Sequence, residues 1–513
     1  MARSPFGYAD DVEPSGADWP VRVLPPAPRR RRTEYEAGGG GAGLAAAERL
    51  GPDGVVEHLL AAGLRGRGGA GFPTGRKWDA VLRHESRVVP ATVVVNAAEG
   101  EPGSFKDRVI LRRNPHAVLE GALVAAWVVQ ADRIVVATKA SFAEERAIVD
   151  AAIAEQRDVA DALGVEMIVV AGPAEYLYGE ETGLLEVLDG RPPFPRVAPP
   201  YRHGVDEVGS RDSNEPADIE MTDADLAPPA LVDNVETLAN VAGILAEGPD
   251  WFRAVGTDAS PGTIVCTVTG ATARAAVGEV PMGTPLREVI EALGGGARPG
   301  RRLVAAMSGA ANPILVGSAL DTPLSYEAME AAGSGLGAAG FLVFDDETDF
   351  VALAAAASKF LAVESCGQCT PCKQDGLMIA HGLDRVRRSA ATPHDLEVVD
   401  ERVVTVADSA RCSLATQHQR VVGSIRAAFP EQFDAHVHGR VGEAPVYPFA
   451  PLLDVRAGEA RVDLHELDKQ PDWTYDRVDS GKMPAERLAV EGGDEERVDR
   501  ATLLSRTDTS RAP

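Results

Sequence analysis

The stretch Thr92-Val93-Val94-Val95-Asn96 decides the fold class of this 513-residue chain. Four consecutive β-branched residues predict a buried strand, because branched side chains favour extended backbone and no charge interrupts the run. Similar short apolar runs occur at 134–137 and 167–170, with helical patterns at 116–131 and 142–159. This alternation of strands and helices predicts a parallel α/β layer.

A glycine-rich stretch, Gly66-Arg67-Gly68-Gly69-Ala70-Gly71-Phe72, lies upstream of that strand. It contains Gly-x-Gly-x-x-Gly, which marks a dinucleotide-binding turn only where it follows a strand and opens a helix. Here it follows a helical pattern at 55–62, so that fold is not predicted. Clustered glycines still let backbone N–H groups approach a phosphate or a flat ring, with Arg67 and Lys77 as cations and Phe72 as a stacking face. A plain glycine loop is the alternative interpretation.

Acidic side chains follow two of the predicted strands. Asn96, Glu99 and Glu101 come after the strand at 92–95, and the segment Tyr-Leu-Tyr-Gly-Glu-Glu-Thr at 176–182 follows the strand at 167–170. Ligands of open α/β sheets bind beyond the carboxyl ends of the strands, so both segments are expected at that edge. Their carboxylates can accept hydrogen bonds from ring N–H groups or sugar hydroxyls. Solvated turns are the alternative.

Three of the five cysteines lie within Cys366-Gly367-Gln368-Cys369-Thr370-Pro371-Cys372, and Cys412 lies forty residues further on. The spacing Cys-x2-Cys-x2-Cys with one distant thiol is an arrangement that holds a 4Fe–4S cube. A zinc site more often uses two Cys-x2-Cys pairs, and disulfide scaffolds are richer in cysteine. The fifth cysteine, Cys266, lies in a strand-like run and is expected to be a buried small hydrophobe.

Composition argues against several classes of function. The net charge of −26 argues against a nucleic-acid partner, because phosphate binding needs basic patches. No run of 18 apolar residues occurs, so no membrane span is expected. The N-terminus shows no apolar segment of a secretory signal. With few cysteines, these features predict a cytoplasmic protein.

Changes in composition along the chain predict five regions. They are a flexible N-terminal extension at 1–44, an α/β domain at 45–245 with a polar insertion at 204–227, a small mixed domain at 258–325, a helical domain at 345–430 that carries the cysteines, and a charged, loosely packed C-terminal tail at 436–513.

These segments, in this order, resemble the NADH-binding flavoprotein (F) subunit of respiratory complex I, and the related diaphorase subunits of NAD-linked hydrogenases and formate dehydrogenases. The resemblance covers roughly residues 50–430. It implies an α/β flavin-binding domain, followed by a β-grasp (SLBB-like) domain and a C-terminal helical iron–sulfur domain. The matching stretches are GLRGRGGAGFPTGRKW at 63–78, NAAEGEPGSFKDR at 96–108, YLYGEETGLLEVLDG at 176–190, NVETLANV at 234–241 and ESCGQCTPC at 364–372.

The resemblance implies an oxidoreductase of the NADH dehydrogenase or diaphorase type. Its cofactors would be FMN, NAD(H) and one 4Fe–4S cluster, with hydride passing from NADH to FMN and single electrons leaving through the cluster. The implied partners are NADH and a redox subunit, either a thioredoxin-like 2Fe–2S protein or an iron–sulfur subunit of a larger complex. Through such a partner the protein would lie at the inner face of a membrane without inserting into it.

The resemblance also implies roles for individual residues. Glu101 and Glu181 would be catalytic and, together with Phe72 and Tyr201, would face NADH. The residues expected to contact FMN are Gly66, Arg67, Gly68, Gly69, Lys77, Asn96, Glu99, Tyr176, Gly179, Glu180, Asn234 and Thr237. The expected cluster ligands are Cys366, Cys369, Cys372 and Cys412.

Some positions depart from the pattern of that family. Ala98 stands where an aspartate is expected to touch flavin, Asp233 where an asparagine is usual, and Ala80 where an aromatic residue can hold adenine. The context Arg411-Cys412-Ser413-Leu414 lacks the usual Pro-Leu-Gly. Two alternatives therefore stay open. One is a cluster-bearing electron-relay or assembly protein without nicotinamide turnover. The other is a ligand-binding β-grasp module with a structural zinc site.

Overall fold

The computed structural model describes residues 19–84, 90–205 and 228–471, which divide into two compact units. The first unit comprises residues 22–84, 90–99, 110–205 and 228–262 of these ranges. The second unit comprises residues 19–21, 100–109 and 263–471. Most of the expected insertion at 204–227 lies outside the described residues. No helix in the described ranges is long and apolar enough to cross a bilayer.

Helices flank a parallel sheet in the first unit. Its helices are α1 (Arg32–Ala37), α2 (Ala42–Ala62), α3 (Thr74–Arg83), α5 (Pro115–Val128), α6 (Ala143–Glu155), α7 (Arg157–Leu163), α8 (Glu181–Leu188), α9 (Val235–Glu247) and α10 (Pro249–Arg253), while α4 (Lys106–Arg113) spans the boundary between the units. Its strands are β1 (Ala91–Ala97), β2 (Ala131–Lys139), β3 (Glu166–Gly172) and β4 (Ala230–Asn234).

The strand order β3-β2-β1-β4 places β1 between two parallel neighbours. Val93, Val94 and Val95 of β1 are fully buried, as a strand covered on both faces requires. The α/β layer predicted from this stretch is therefore confirmed. The helix predicted at 142–159 is instead two helices, α6 and α7, which meet at Gln156 with φ −100° and ψ 4°.

Local signals explain where the helices near the glycine loop begin and end. Helix α2 stops at Gly63, whose φ of 70° is a left-handed conformation that favours glycine. Helix α9 begins after Asn234, whose side-chain oxygen accepts a hydrogen bond from the Glu236 N–H at 3.0 Å. The carboxyl end of β4 therefore leads directly into a capped helix N-terminus.

The predicted flexible extension is packed where the structure describes it. Tyr35 of α1 is buried, and its hydroxyl donates to Glu120 of α5 at 2.6 Å. The N–H groups of Gly41 and Leu44 donate to the same carboxylate at 2.8 and 2.9 Å. Because a buried carboxylate needs several donors, Glu120 fixes residues that look unstructured in the sequence. Residues 1–18 lie outside the described part.

A mixed sheet lies at the centre of the second unit. Its strands are β5 (Thr263–Gly270), β6 (Ala276–Pro281), β7 (Leu303–Ser308), β8 (Leu315–Val316) and β9 (Gly340–Asp345), accompanied by helices α11 (Leu286–Gly294) and α12 (Tyr326–Ala331). The strand order is β6-β5-β9-β7-β8, and only β5 and β9 pair in parallel. Cys266 is fully buried in the core beside Val289 and Ile290 of α11, which confirms its expected packing role.

Five helices surround the cysteines, as the sequence predicts for this region. Helix α13 is capped by Asp349, whose side chain accepts from the Ala352 N–H at 2.8 Å, and it ends at Glu364. Phe350 of α13 stacks on Phe429 with ring centroids 3.5 Å apart. The helices are α13 (Phe350–Glu364), α14 (Thr370–Arg387), α15 (Pro393–Thr405), α16 (Leu414–Ala428) and α17 (Pro430–Val437).

The predicted charged tail is folded over its described part. Strands β10 (Leu452–Arg456) and β11 (Glu459–Val462) form an antiparallel hairpin. Phe449 and Leu452 are buried, and Lys469 pairs with Glu364 of α13 at 2.5 Å. The apolar segment at 447–453 supplies the buried side chains that fold this part of the chain. The charged residues around it led to the prediction of a loosely packed tail. Residues 472–513 lie outside the described part.

Candidate functional site

The glycine loop is a closed turn that leads into α3. The Gly66 N–H donates to the Phe72 carbonyl at 2.8 Å, and the Thr74 N–H donates to the Leu64 carbonyl at 2.9 Å. These two bonds tie the ends of the loop together, so its backbone is fixed without any ligand. The Phe72 side chain is 53% exposed, which leaves its ring available for stacking.

The loop rests against the N-terminus of α9. A Cβ added to Gly68 would lie 3.2 Å from the Asn234 Cβ, so glycine permits this close approach. The Arg67 N–H donates to the Thr237 hydroxyl at 2.8 Å. Gly69 has a φ of 124°, which a residue with a side chain rarely adopts. The loop and the helix N-terminus together form a cradle of the kind that binds phosphate groups.

The guanidinium of Arg67 is buried and is held by groups of the protein itself. It donates to the carbonyls of Arg65 and Pro261 at 3.3 and 3.2 Å, and its Nε lies 4.0 Å from the Glu236 carboxylate. Both side chains of this ion pair are almost completely excluded from solvent. Both the side chain and the backbone N–H of Arg67 therefore already have partners within the protein, which the sequence could not reveal.

Lys77 of α3 stands between two carboxylates. Its Nζ donates to Glu181 and to the Val232 carbonyl, both at 2.7 Å, and lies 3.9 Å from Asp233. The Trp78 Nε1–H donates to the other oxygen of Asp233 at 2.7 Å. The sequence suggested Lys77 as a cation for a ligand, but it did not reveal that Asp233 and Trp78 belong to the same network.

Burial and charge act in opposite directions on this network. Burial alone lowers the pKa of Lys77, but the carboxylates of Asp233 and Glu181 outweigh it and raise that pKa. Burial raises the pKa of Asp233, although Lys77 and the Trp78 hydrogen bond partly oppose the shift. Lys77 therefore stays charged, and a large share of its charge is compensated by the protein itself.

The carboxyl end of β1 is linked to the segment after β3. The Asn96 amide donates to the Gly179 carbonyl at 2.8 Å, and Gly179 lies in a 3-10 helix formed by Tyr176–Gly179. Glu180 then caps α8 by accepting from the Thr182 and Gly183 N–H groups at 3.0 and 2.7 Å. Burial raises the pKa of Glu180, and these donors partly counteract the shift. The two segments that the sequence placed at one edge of the sheet do meet there.

Ala98 packs into a hydrophobic cluster and is only 1% exposed. The cluster includes Val94 of β1 and Tyr178 of the 3-10 helix. The position at which an aspartate was expected therefore contributes packing in this chain and no polar group. Burial raises the pKa of Tyr178, so its hydroxyl stays neutral.

The other predicted site residues are distributed over both units. Glu99 is buried, and the ring of Tyr201 lies 4.8 Å from that of His84. Glu101 belongs to the second unit, where its carboxylate accepts a hydrogen bond from the Ala310 N–H. Glu181, the other predicted catalytic acid, belongs to the first unit.

The residues of the first unit fit FMN. A phosphate needs backbone donors, and it would find them where the backbone at Gly68 closely approaches Asn234 at the start of α9. The hydroxyl of Thr74, at the first residue of α3, is buried and has no hydrogen-bond partner among the described residues. This orphaned donor beside the glycine loop could not be recognised from the sequence, where Thr74 looks like an ordinary turn residue.

The cysteine loop joins α13 to α14. Cys369 occupies the N-cap position of α14, so the positive end of the helix dipole faces its sulfur. The Arg411 N–H, from the residue before Cys412, donates to the Cys369 Sγ at 3.3 Å. The Gln368 side chain donates to the Cys366 Sγ at 3.5 Å. The Arg411 contact connects the Cys-x2-Cys-x2-Cys segment to the residues around the fourth cysteine.

Cys372 is the most buried of the four cysteines. Burial, together with the neighbouring Cys366 and Cys369, raises the pKa of its thiol to about 11, although a hydrogen bond with Ser365 at 3.2 Å opposes this. A buried thiol with a raised pKa, such as that of Cys372, becomes a ligand when a strongly cationic centre displaces its proton. In the described part of the chain no three His, Cys, Asp or Glu side chains have the spacing needed around a single metal ion. The corners of a 4Fe–4S cube are four separate irons, and the donor set fits that group.

A buried cation supports the cysteine loop. The Lys373 ammonium donates to the carbonyls of Ala362, Val363 and Ser365 at 3.1, 3.2 and 2.8 Å. It thereby caps the C-terminal end of α13, where the helix dipole is negative. No sequence signal pointed to this role, because lysines are usually exposed.

A phosphate cradle beside a parallel sheet and four cysteines at helix ends together define a flavin-binding iron–sulfur protein. The Nuo51 FMN-binding domain family matches residues 59–243, and the NADH-ubiquinone oxidoreductase-F iron-sulfur binding region matches residues 352–436. The chain belongs to the family of the F subunits of NADH-quinone oxidoreductase.

Individual relatives support this membership. The chain is 35% identical over 419 residues to the second F subunit of the NADH-quinone oxidoreductase of Rhizobium meliloti, covering 79% of this chain and 94% of that protein. It is 32% identical over 420 residues to the F subunit of the Streptomyces coelicolor enzyme, covering 80% and 88%. A crystal structure of an NAD+-reducing [NiFe]-hydrogenase matches with a TM-score of 0.66 and 32% identity. That match covers 76% of this chain and 64% of the hydrogenase chain.

These findings confirm the resemblance and the cofactors that it implied. The chain is an NADH-oxidising flavoprotein with an FMN-binding domain and a 4Fe–4S-binding region. They also confirm the mixed α/β fold with an iron–sulfur region towards the C-terminus. The assignment of individual site residues stays a prediction.

Proposed function

We propose that this protein is the electron-input subunit of a larger redox complex, in which it oxidises NADH and delivers single electrons to a partner. The observation that carries this proposal is the presence of both an FMN-binding domain and a complete set of four cysteines in one chain. When bound, FMN accepts hydride from NADH and releases its electrons one at a time, which suits a cluster that takes one electron.

The first unit holds FMN at two places. The backbone of Gly66, Arg67, Gly68 and Gly69 and the N-terminus of α9, with Asn234 and Thr237, bind the phosphate. The support for this is the close approach of the loop to the helix. The ring side of the cofactor is held by Asn96, Glu99, Tyr176, Gly179 and Glu180. Asn96 and Gly179 are already joined by a hydrogen bond, so little ordering is left for binding.

NADH is oriented by residues that need no acid–base role. The exposed ring of Phe72 provides a stacking face, and Tyr201 provides a second aromatic side chain. Lys77 holds the Glu181 carboxylate in place, so that it can accept hydrogen bonds from hydroxyl groups of the nucleotide. Glu101, in the second unit, is the other carboxylate that accepts such hydrogen bonds. Hydride transfer depends mainly on positioning, and these contacts supply it.

The cysteines of the second unit would hold the cluster, which would supply a one-electron acceptor there. Cys366, Cys369, Cys372 and Cys412 are the cluster ligands, and Lys373 stabilises the loop that carries three of them. The mixed sheet with α11 against one face is the proposed β-grasp (SLBB-like) domain; because it includes β9, it extends beyond the range 258–325 expected from the sequence. The helices at 345–430 form the proposed cluster domain. The partner is a thioredoxin-like 2Fe–2S protein or another iron–sulfur subunit, which would bring the protein to the inner face of a membrane.

The variant Glu181→Ala tests the NADH site. Loss of this carboxylate removes the acceptor that Lys77 holds, so we expect NADH oxidation to fall by roughly tenfold or more. Iron and FMN contents should be unchanged. Glu166→Ala, which removes an exposed carboxylate from β3, is the matched control and should retain full activity. Unchanged NADH oxidation by Glu181→Ala would contradict the proposed role.

A further inference from the structure

The mixed sheet of the second unit has a second face that its core does not use. Ile264 and Val268 of β5 pack with α11 into the hydrophobic core. Successive side chains of a strand point to opposite faces, so Thr267 and Thr269 lie on the other side. The Thr267 hydroxyl accepts a hydrogen bond from the Phe105 N–H at 3.0 Å. The hydroxyl of Thr267 therefore already has a hydrogen-bond partner within the fold.

Thr269 lines a cavity of about 410 Å³ on that face. Its side chain is only 2% exposed, and its hydroxyl has no hydrogen-bond partner among the described residues. A buried hydroxyl without a partner is costly unless a ligand or water satisfies it. The hairpin of β10 and β11 forms another wall, fixed by a hydrogen bond from the Ala275 N–H to the Gly458 carbonyl at 2.7 Å.

Two arginines bring positive charge to the cavity. Arg298 donates through Nε and an Nη to the carbonyls of Thr272 and Gly270 at 3.2 and 3.1 Å, and Arg274 is held similarly by carbonyls at the end of α11. These bonds fix each guanidinium and leave other N–H groups of the same side chain available to a ligand. Within the described ranges neither arginine forms an ion pair with a carboxylate. Glu459, which is exposed, is the one acidic residue among the lining side chains.

Two aromatic side chains complete the lining. Tyr447 packs on Phe344 with ring centroids 5.9 Å apart, and Phe449 packs on Phe360 at 5.8 Å. These contacts hold the two rings in place, so a flat ligand could bind against them without ordering new side chains. The cavity thus combines fixed cations, a buried hydroxyl and aromatic surface.

We propose that this cavity binds a small aromatic anion with one phosphate or carboxylate group. The acidic group contacts Arg274 and Arg298, the ring packs against Tyr447 and Phe449, and a polar substituent hydrogen-bonds to Thr269. A volume of about 410 Å³ is within the range of roughly 300–1,000 Å³ typical of small-molecule sites. Every lining residue belongs to the second unit, so the site does not depend on the residues proposed for FMN.

Isothermal titration calorimetry of the full-length holoprotein with phenyl phosphate tests the proposal. Saturating NAD+ is present to keep the nucleotide site filled. We expect saturable binding of one phenyl phosphate per chain. Arg298→Ala should weaken it at least roughly tenfold, because a charge-assisted contact is lost. Phenyl phosphate lacks a polar ring substituent, so the Thr269 contact is tested with 4-hydroxyphenyl phosphate, which Thr269→Val should bind about threefold to tenfold more weakly than the native protein does.

A matched control uses another exposed arginine of the second unit. Arg287 pairs with Asp321 at 2.6 Å and does not line the cavity, so Arg287→Ala should bind phenyl phosphate like the native protein. All three variants should retain NADH oxidation, which separates this proposal from the proposed function. Absence of saturable binding by the native protein, equal affinity in Arg298→Ala, or equally tight binding of inorganic phosphate would overturn the proposal.

Discussion

In the first unit, hydrogen bonds and a buried ion pair within the protein fix the glycine loop. In the second unit, the cysteine sulfurs receive only long, weak hydrogen bonds from the protein. Gly66 bonds across its loop at 2.8 Å, and Arg67 is buried against Glu236. The donors to Cys366 and Cys369 lie at 3.5 and 3.3 Å from sulfur, a weak acceptor. We infer that folding alone forms the flavin cradle, while the cluster completes its own site.

Removing a cluster ligand should have the largest effect. Cys369→Ala should abolish 4Fe–4S binding, because it removes one of the four predicted thiolate ligands. FMN content should persist, because the flavin cradle does not rely on the cluster. Iron, acid-labile sulfide and flavin absorbance measure both. Cys266→Ala is the control and should keep the cluster; loss of FMN together with the cluster in Cys369→Ala would break the comparison.

Breaking the buried ion pair should destabilise the flavin cradle. Glu236→Ala leaves the Arg67 charge buried without its carboxylate, which should lower the free energy of unfolding by about 3–5 kcal/mol. Urea unfolding followed by tryptophan fluorescence measures the change. Asp79→Ala removes the partner of the exposed Arg83 and should change the free energy of unfolding far less. Similar changes in the free energy of unfolding for the two variants would show that the Arg67–Glu236 ion pair does not fix the flavin cradle.

Replacing the buried carboxylate of Asp233 should increase the affinity of the first unit for FMN. Asp233→Asn keeps an oxygen acceptor for the Trp78 N–H but removes a negative charge 3.9 Å from Lys77. Lys77, which is predicted to contact FMN, would then carry more uncompensated positive charge, so affinity for the anionic FMN should rise by roughly tenfold. Fluorescence titration of the apoprotein with FMN measures this. Asp250→Asn, an exposed site, is the control, and weaker FMN binding by Asp233→Asn would contradict this explanation.

The smallest effect concerns a histidine in the cluster domain. His418 of α16 is buried, its ring bonds to Ser358 at 2.7 Å, and burial lowers its pKa to about 3 from an ordinary 6.5. The unfolded chain therefore binds a proton that the native protein excludes. The stability that neutral His418 contributes is complete above pH 6.5 and declines towards pH 3, by at most about 1.4 kcal/mol per pH unit.

The variant His418→Gln isolates this effect, because glutamine can still bond to Ser358 but does not titrate. Between about pH 7 and pH 5 its urea midpoint should fall less steeply than that of the native protein. Parallel curves for the two proteins would mean that His418 is not the group responsible.

Local sequence signals predicted much of the fold and few of the contacts within the site. The β-branched run at 92–95 and the cysteine spacing are short-range patterns, so the parallel layer and the iron–sulfur region could be read directly. The site depends on pairs far apart in the chain. Lys77 meets Asp233, and Glu120 anchors Tyr35, through tertiary packing that no local pattern encodes. For the same reason, Arg67 could be recognised as a cation but not as one already paired.

An anaerobic absorption spectrum of the purified protein, before and after addition of NADH, tests the central claim most directly. We predict flavin and broad iron–sulfur bands, both of which bleach when NADH is added. Iron–sulfur absorbance without flavin, or bands that NADH leaves unchanged, would contradict that claim and would favour a cluster-bearing relay without nicotinamide turnover.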